Sequence, residues 1–361
     1  MLTELRLAAL IDRANVRLLN YSPALDGIRG VAVLAVFFHH ALFTAINPAD
    51  WPAAYQPLIQ LSHFGQYGLD LFFVLSGYLI TTILIGKKDS PRYFREFYVN
   101  RFTRIIPIYA VVLAVVAALV PYSASYVVIS VLFVANFAQL FHVTVVGPFW
   151  TLAIEEQFYI VWPFLVRGCS RVRLRRIAIG ILIAEPLLRL SDIAIGHHNF
   201  RFTFFHADGL AFGAVLACQV CRPAQRTVFC ALAIGAAFYG LSLFGAADQL
   251  LSAVFEALQP TSVGLIAYGL VAGAIGGSTR RAVRWLSLPF LIFFGQISYC
   301  FYLIHIYVFM AFDATFGPIQ GADPVAALLR LFVVLAATTA LCVLSRKFIE
   351  LPAMSLRRRL A

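Results

Sequence analysis

The feature that most constrains this chain is a series of apolar runs, most of 15 to 22 residues, separated by short basic or Gly/Pro-rich stretches. With 61% hydrophobic and only 12% charged residues, these runs cannot all be interior to one water-soluble core. A helix needs about 20 apolar residues to cross the hydrocarbon layer, and the runs have that length. The 33 Phe and 15 Tyr suit lipid-facing and interfacial positions. The formal charge of +11 does not indicate nucleic acid, because the arginines and lysines sit in the connecting loops, as an inner-leaflet bias would place them. The six cysteines are scattered. Their one CxxC, Cys218 and Cys221, has no second pair or adjacent His, so packed thiols are expected and no metal.

Loop charge orients the spans. The stretch to Tyr21 lacks a signal-peptide pattern and reads, with Arg6, Arg13 and Arg17, as part of an amphipathic cytoplasmic segment over 1–24. Spans are expected at about 25–46, 66–86 and 105–122, with a strongly basic inner loop from Lys87 to Arg104. Two runs follow, 127–141 and 149–166, before the five arginines between 167 and 176. If that loop is inside, only one run crosses. The fifteen residues of 127–141 are too few, so that run is expected to be re-entrant or half-inserted. Both crossing is the competing reading, and it would leave five arginines outside. Later spans are expected at 177–195, 204–220, 228–244, 260–275 (its start open toward earlier residues), 286–312 and 325–344, with a basic cytoplasmic tail over 345–361. The expected fold class is therefore all-α and membrane-embedded, with about ten transmembrane helices in one domain over 1–361, both termini expected inside and no fused soluble domain expected.

Ionisable groups inside such spans are costly and mark candidate sites. The first span, LDGIRGVAVLAVFFHHALFTAI, carries Asp26, Arg29, His39 and His40. Arg29 and His40 are eleven residues apart, about 20° past three turns, so they share a face about 16 Å apart along the axis. His39 is turned about 80° from Arg29 and is the poorer candidate. On this topology Asp70, Glu155, Glu156, His206, Asp208 and His305 gather with His40 in the outer half of the bundle. An acid beside His40, either Asp70 or Glu155, would fix its tautomer and raise its basicity. Taken singly, His206, Asp208 and Glu156 read more simply as interhelical hydrogen bonds. On the inner side Arg101 and Arg104, one turn apart beside Arg92 and Arg95, suit phosphate groups, although inner loops carry arginine in any case. Ser76 and Gly77 leave room either for close helix approach or for a slim ligand.

These residues fall in an order that resembles the acyltransferase type 3 family of bacterial inner-membrane proteins, which O-acylate cell-surface and exported glycans and some small molecules. LDGIRGVAVLAVFFHH is similar to its Arg-x10-His opening, with Arg29 and His40 in those places. GLDLFFVLSGYLI resembles its second-span signature, and FYVNRFTRIIPIY its basic loop. FWTLAIEEQFYIVWP, with Trp150, Glu155 and Tyr159, resembles its Trp-Ser-Leu-x-x-Glu-Glu-Gln-Phe-Tyr block, Thr151 replacing the commoner Ser. FFHADGLAFGAVLA, GQISYCFYLIHIYV and FIELP resemble later blocks. The resemblance implies a ten-helix bundle, acyl-CoA as a cytoplasmic donor (acetyl-CoA on family grounds), and a glycan hydroxyl or a small-molecule or lipid-linked-sugar acceptor. It suggests that Arg95, Arg101 and Arg104 hold the CoA phosphates. The pantetheine arm would pass Arg29 and Ser76 to His40, which acts as general base or as a covalent acyl carrier. A proton-coupled transporter is the rival from another class, but no internal repeat is visible. A non-catalytic assembly subunit would not need Arg29, His40 and Glu155.

Overall fold

Some helix starts are set by a cap, as at Ser170 and Asp323, or by a proline in the first turn, as at Pro289 and Pro324. The computed structural model describes residues 22–44, 50–197, 201–219, 221, 223–243, 249–276, 280–319, 321 and 323–360. The N-terminal segment expected to be amphipathic lies outside them up to residue 21. Among the described residues there is no strand. Helix α1 (Pro23–Phe38) runs into a π turn, His39–Phe43, closed by Thr44 N–H donating to the His39 carbonyl at 3.2 Å. Helix α2 (Gln56–His63) and a 3-10 turn, Phe64–Tyr67, lead into α3 (Gly68–Gly86). Helices α4 (Tyr93–Leu119) and α5 (Ala124–Val131) follow, then a 3-10 stretch, Ala135–Phe141. Next come α6 (Phe149–Gly168), α7 (Arg171–Ala194), α8 (Asp208–Ala217), α9 (Gln225–Leu243) and α10 (Gln249–Gly276). The chain ends with α11 (Arg280–Leu286), α12 (Pro289–Phe316), α13 (Pro324–Ser345), a second π turn at Arg346–Glu350, and α14 (Leu351–Leu360). The Asp323 carboxylate caps α13 by accepting from the Val325 and Ala326 N–H groups at 3.0 Å. Gly317, at φ +85°, ends α12.

Seven helical stretches among the described residues are long and apolar enough to cross a bilayer: Pro23–Phe43, Gln56–Gly86, Tyr93–Leu119, Gln225–Leu243, Gln249–Gly276, Pro289–Phe316 and Pro324–Arg357. Helices α6 and α7 are of similar length but more polar, with Glu155, Glu156 and Gln157 in one, and Glu185, Arg189 and Asp192 in the other. This is a multi-pass α-helical membrane protein. The span expected at 204–220 is different: its helix is the ten-residue α8, every residue buried. At about 15 Å it reaches across half of a ~30 Å hydrocarbon core. Its apolar sequence reflects burial among other helices rather than exposure to lipid. The span expected from 260 starts eleven residues earlier, at Gln249. Arg101 and Arg104 lie, as expected, in the early turns of a helix, α4, which also takes in Arg95.

The run at 127–141 forms no single helix. The eight residues of α5 and the seven of the 3-10 stretch are separated and ended by Phe133 and His142, both at positive φ. Neither piece reaches across a bilayer. Irregular backbone at membrane depth must satisfy its carbonyls internally. Three tyrosines do so here: Tyr109 donates to Ser130 O (2.7 Å), Tyr126 to Gly147 O (3.0 Å) and Tyr307 to Val146 O (2.7 Å).

The chain divides into two compact units. Asp70–Phe94 and Ala153–Ser287 make up most of the first; Asp26–Leu69, Arg95–Leu152 and Leu288–Ala361 form the second. In the first unit Gly77 of α3 lies against the Leu210 carbonyl of α8, and Gly213 of α8 against Val74 and Tyr78 of α3; a Cβ at either position would overlap the neighbouring backbone. Of the two readings of Ser76–Gly77, Gly77 therefore serves close helix approach. In the second unit the equivalent contact is Gly30 of α1 against Leu291 of α12, with Gly295 against Asp26.

Candidate active site

The second unit carries the imidazole cluster. His40 is half-buried in the π turn, and its Nδ1 lies 2.9 Å from the Val36 carbonyl and 3.2 Å from His305 Nε2. His305, on α12, is fully buried; its own Nδ1 lies 2.8 Å from the Tyr302 carbonyl and 3.1 Å from that of Phe301. A carbonyl can only accept, so in each neutral ring Nδ1 carries the hydrogen. His305 Nε2 is then an acceptor, and it shares the His40 Nδ1–H with Val36. The remaining nitrogen of His40, Nε2, keeps its lone pair. The ring is thus presented as a base, oriented by groups of its own unit.

The surroundings fix this geometry. Phe37 packs on Phe301 (5.5 Å) and stacks on Phe309 (5.1 Å), walling off His305. Arg330 lies 4.3 Å from the Phe309 ring, forms a two-point ion pair with Asp313 at 2.7 Å, and donates to the Ala41 carbonyl at 3.4 Å. That carbonyl belongs to the π turn bearing His40. Thr151 donates to the Pro148 carbonyl at 2.9 Å and so accepts from the Tyr302 hydroxyl at 3.0 Å. The replacement of Ser by Thr keeps this hydroxyl. His39, buried at 9% exposure, donates to the Ser62 carbonyl at 3.3 Å and stacks on Phe43. Trp150 is half-buried in this unit, and Asp26 pairs with Arg29 at 3.3 Å. Arg95 and Arg104 are exposed, and Arg101 stacks over Phe97 at 5.9 Å. Arg104 and Arg346 both act electrostatically on Glu350.

Asp70, Ser76, Glu155, Tyr159 and Asp208 belong to the first unit. Within the second unit the ring of His40 is held by the Val36 carbonyl and by His305. Ser76 and Tyr159 share a hydroxyl hydrogen bond at 2.8 Å. Asp70 is buried in the field of Asp208 and Arg189. Arg189, with no exposure, donates through Nε to Ala257 O (2.8 Å), through Nη1 to Phe205 O (2.6 Å), and through Nη2 to Asp208 (3.0 Å) and Thr261 (2.5 Å). Glu185 accepts the Ala207 and Asp208 N–H groups at 3.0 and 2.8 Å, closing off the start of α8. Glu155 is half-buried on α6.

Sequence reasoning named His40 and His305 but did not pair them, and it missed Arg330 and Asp313. The available signal was an arginine in the outer half of one span and an aspartate at the outer end of the preceding antiparallel span, which places the two at similar depth.

An α-helical, multi-pass membrane protein with a half-buried His40 against a buried His305 defines a class rather than an activity. The comparisons narrow it: a family model described as an acyltransferase domain matches residues 22–347, and the chain belongs to that acyltransferase family. It is 33% identical over 189 residues to the peptidoglycan O-acetyltransferase OatA of Listeria monocytogenes, covering 46% of this chain and 28% of that protein. It is 31% identical over 225 residues to the Bacillus subtilis protein named "Putative peptidoglycan O-acetyltransferase YrhL", covering 55% of this chain and 33% of that one. A Staphylococcus aureus protein named "Putative O-acetyltransferase SAS0844" is 26% identical over 369 residues, covering 92% of this chain and 57% of that protein. The chain thus spans little more than half the length of these relatives at most. No solved structure matches it.

Proposed function

We propose that this protein transfers an acyl group, acetyl in the first instance, from cytoplasmic acyl-CoA to a hydroxyl of a cell-surface or exported glycan. It does so from the bacterial cytoplasmic membrane, with both termini inside. The observation that carries the reading is the placement of His40 Nδ1, 2.9 Å from the Val36 carbonyl and 3.2 Å from His305 Nε2, from which the Nδ1–H tautomer and a lone-pair base at Nε2 follow. The relatives' names support acetyl as the group and a glycan as the acceptor. The acceptor hydroxyl gives its proton to His40 Nε2 as its oxygen attacks the thioester carbonyl. The carbon–sulfur bond breaks, and the thiolate takes the proton back from the imidazolium. The Val36 carbonyl and the His305 lone pair stabilise that imidazolium through its Nδ1–H. Arg95, Arg101 and Arg104 of the second unit bind donor phosphates through charge-assisted bonds.

The test is label transfer. Purified protein in lipid nanodiscs receives [14C]acetyl-CoA and soluble peptidoglycan fragments. The reading expects base-labile label in the fragments and release of free CoA thiol in equal amount. Acetyl-CoA that stays intact with every glycan and lipid-linked sugar offered would overturn it.

A further inference from the structure

The second unit carries a long apolar groove that the reaction above does not use. It has a volume of about 680 Å3 and is walled by α4, α12, the end of α13 and the second π turn, all within that unit. Ile304, Tyr307, Ala311 and Ala314 line it. At 100° per residue they lie about 100° to 180° round α12 from His305, so the groove faces away from the imidazole cluster. From Cys300 to Ala314 its wall rises about 21 Å, well over half of a ~30 Å hydrocarbon core. Val115, Met310, Leu344 and Phe348 on its rims are exposed. Helices α4, α12 and α13 belong to three of the stretches long and apolar enough to cross a bilayer, so an open face between them meets lipid chains. The two hydroxyls on the wall are already engaged: Tyr307 donates to the Val146 carbonyl at 2.7 Å and Ser345 to the Glu350 carboxylate at 3.2 Å. A ligand there gains from apolar contact along its length and little from hydrogen bonds.

One end of the groove is charged. Phe348 and Ile349 line it there, on the π turn that also bears Arg346 and Lys347. Lys347 lies 5.3 Å from the Phe348 ring, and Arg346 donates to the Gln296 carbonyl at 2.6 Å. Arg104, one turn before Ile108 of the wall, acts with Arg346 on Glu350. Three cations against that one carboxylate leave this end net positive. The other end, at Leu119 and Pro121, is apolar. The matching occupant is an apolar chain with an anion at one end, and a basic site at the end of a cleft between spans is the arrangement that selects acidic lipid headgroups.

We infer that the groove binds an anionic phospholipid. One acyl chain lies along α4 and α12, and the headgroup phosphate meets Arg346 and Lys347 through charge-assisted bonds. The site stands independently of the reaction proposed above.

The experiment is fluorescence quenching in nanodiscs made with phosphatidylglycerol or phosphatidylcholine carrying the same brominated chains, the signal of the unmodified protein being subtracted. Phe348→Trp and Met310→Trp place the reporter in the groove. Phe332→Trp, at an exposed position of α13 outside it, reports on bulk lipid. Each basic residue near a headgroup is worth about fivefold in affinity, so both groove reporters should favour phosphatidylglycerol by at least about fivefold while Phe332→Trp shows no preference. Lys347→Gln should reduce the preference, and Arg346→Gln with Lys347→Gln should abolish it. Equal quenching by the two lipids in the groove overturns the inference, as does a preference that survives the double substitution or is equally strong at Phe332→Trp. Groove reporters that neither lipid quenches, as when a second copy of the chain covers the groove, overturn it too.

Discussion

The two units each bury a polar cluster, and the clusters differ in what they leave undone. Around Arg189 all three guanidinium nitrogens have acceptors, and both Glu185 oxygens accept from backbone N–H groups. Among the described residues the His40 ring is held by one nitrogen only. By burial and charge the Arg189 cluster is the more conspicuous, since it places two carboxylates and a guanidinium at 3% exposure or less. A saturated ionic network of that kind specifies packing. A ring anchored on one side, with a lone pair on the other, is equipped for proton transfer. Burial of charge in a membrane span therefore does not by itself separate a brace from a reaction centre; unfilled hydrogen-bonding capacity does.

Substitutions can break or sharpen that contrast. His40→Gln should lower acetyl transfer by about 10²–10⁴, the usual worth of a positioned base, while folded protein accumulates at the parental level. Arg189→Ala should show the reverse pattern. Stranding buried Asp208 and Glu185 costs about 3–5 kcal/mol, read as lost yield and a lower melting temperature, with activity per folded molecule close to that of the parent. If Arg189→Ala instead folds normally and loses transfer, the two clusters have been assigned the wrong way round. His305→Phe keeps the volume and the Val36 bond but removes the acceptor of the His40 Nδ1–H. One such hydrogen bond corresponds to roughly a tenfold loss of kcat with KM little changed, measured by steady-state kinetics. Thr151→Val removes the hydrogen bond between the Thr151 and Tyr302 hydroxyls, two bonds removed from His40, and should cost kcat about two- to threefold at most, whereas Thr151→Ser should be neutral.

Much of the fold was legible because membrane spans are read by length and by the charge of their loops. The helices near 25–46, 66–86 and 325–344 fall close to where the apolar runs put them. The broken segment at 127–141 was legible by the same count. Helix α8 was misread because burial within a protein and burial in lipid select the same residues; only its neighbours reveal that it is short and covered. The sequence leaves the start of α10 open toward earlier residues because Glu256 interrupts the apolar pattern, and the helix takes that earlier start, at Gln249.

At the site, residue types were legible and pairings were not. Helical arithmetic placed Arg29 and His40 on one face, but from His39 onward the backbone follows a π turn, and no propensity in FHHALF announces it. The turn's Ala41 carbonyl meets Arg330, 289 positions later in the chain. Likewise nothing in the sequence singled out His305 as the group beside His40 Nδ1. The His305 tautomer is set by the Phe301 and Tyr302 carbonyls, and the approach of the two rings depends on tertiary packing alone.

The claim beneath all of this is the protonation pattern of one ring. Histidine-selective 15N spectra of the protein in bilayers at neutral pH, with the His40→Gln spectrum subtracted, isolate the two nitrogens of His40. The account predicts a protonated Nδ1 coupled to a second imidazole and an unprotonated Nε2. A spectrum with the proton on Nε2 and a bare Nδ1 would contradict it.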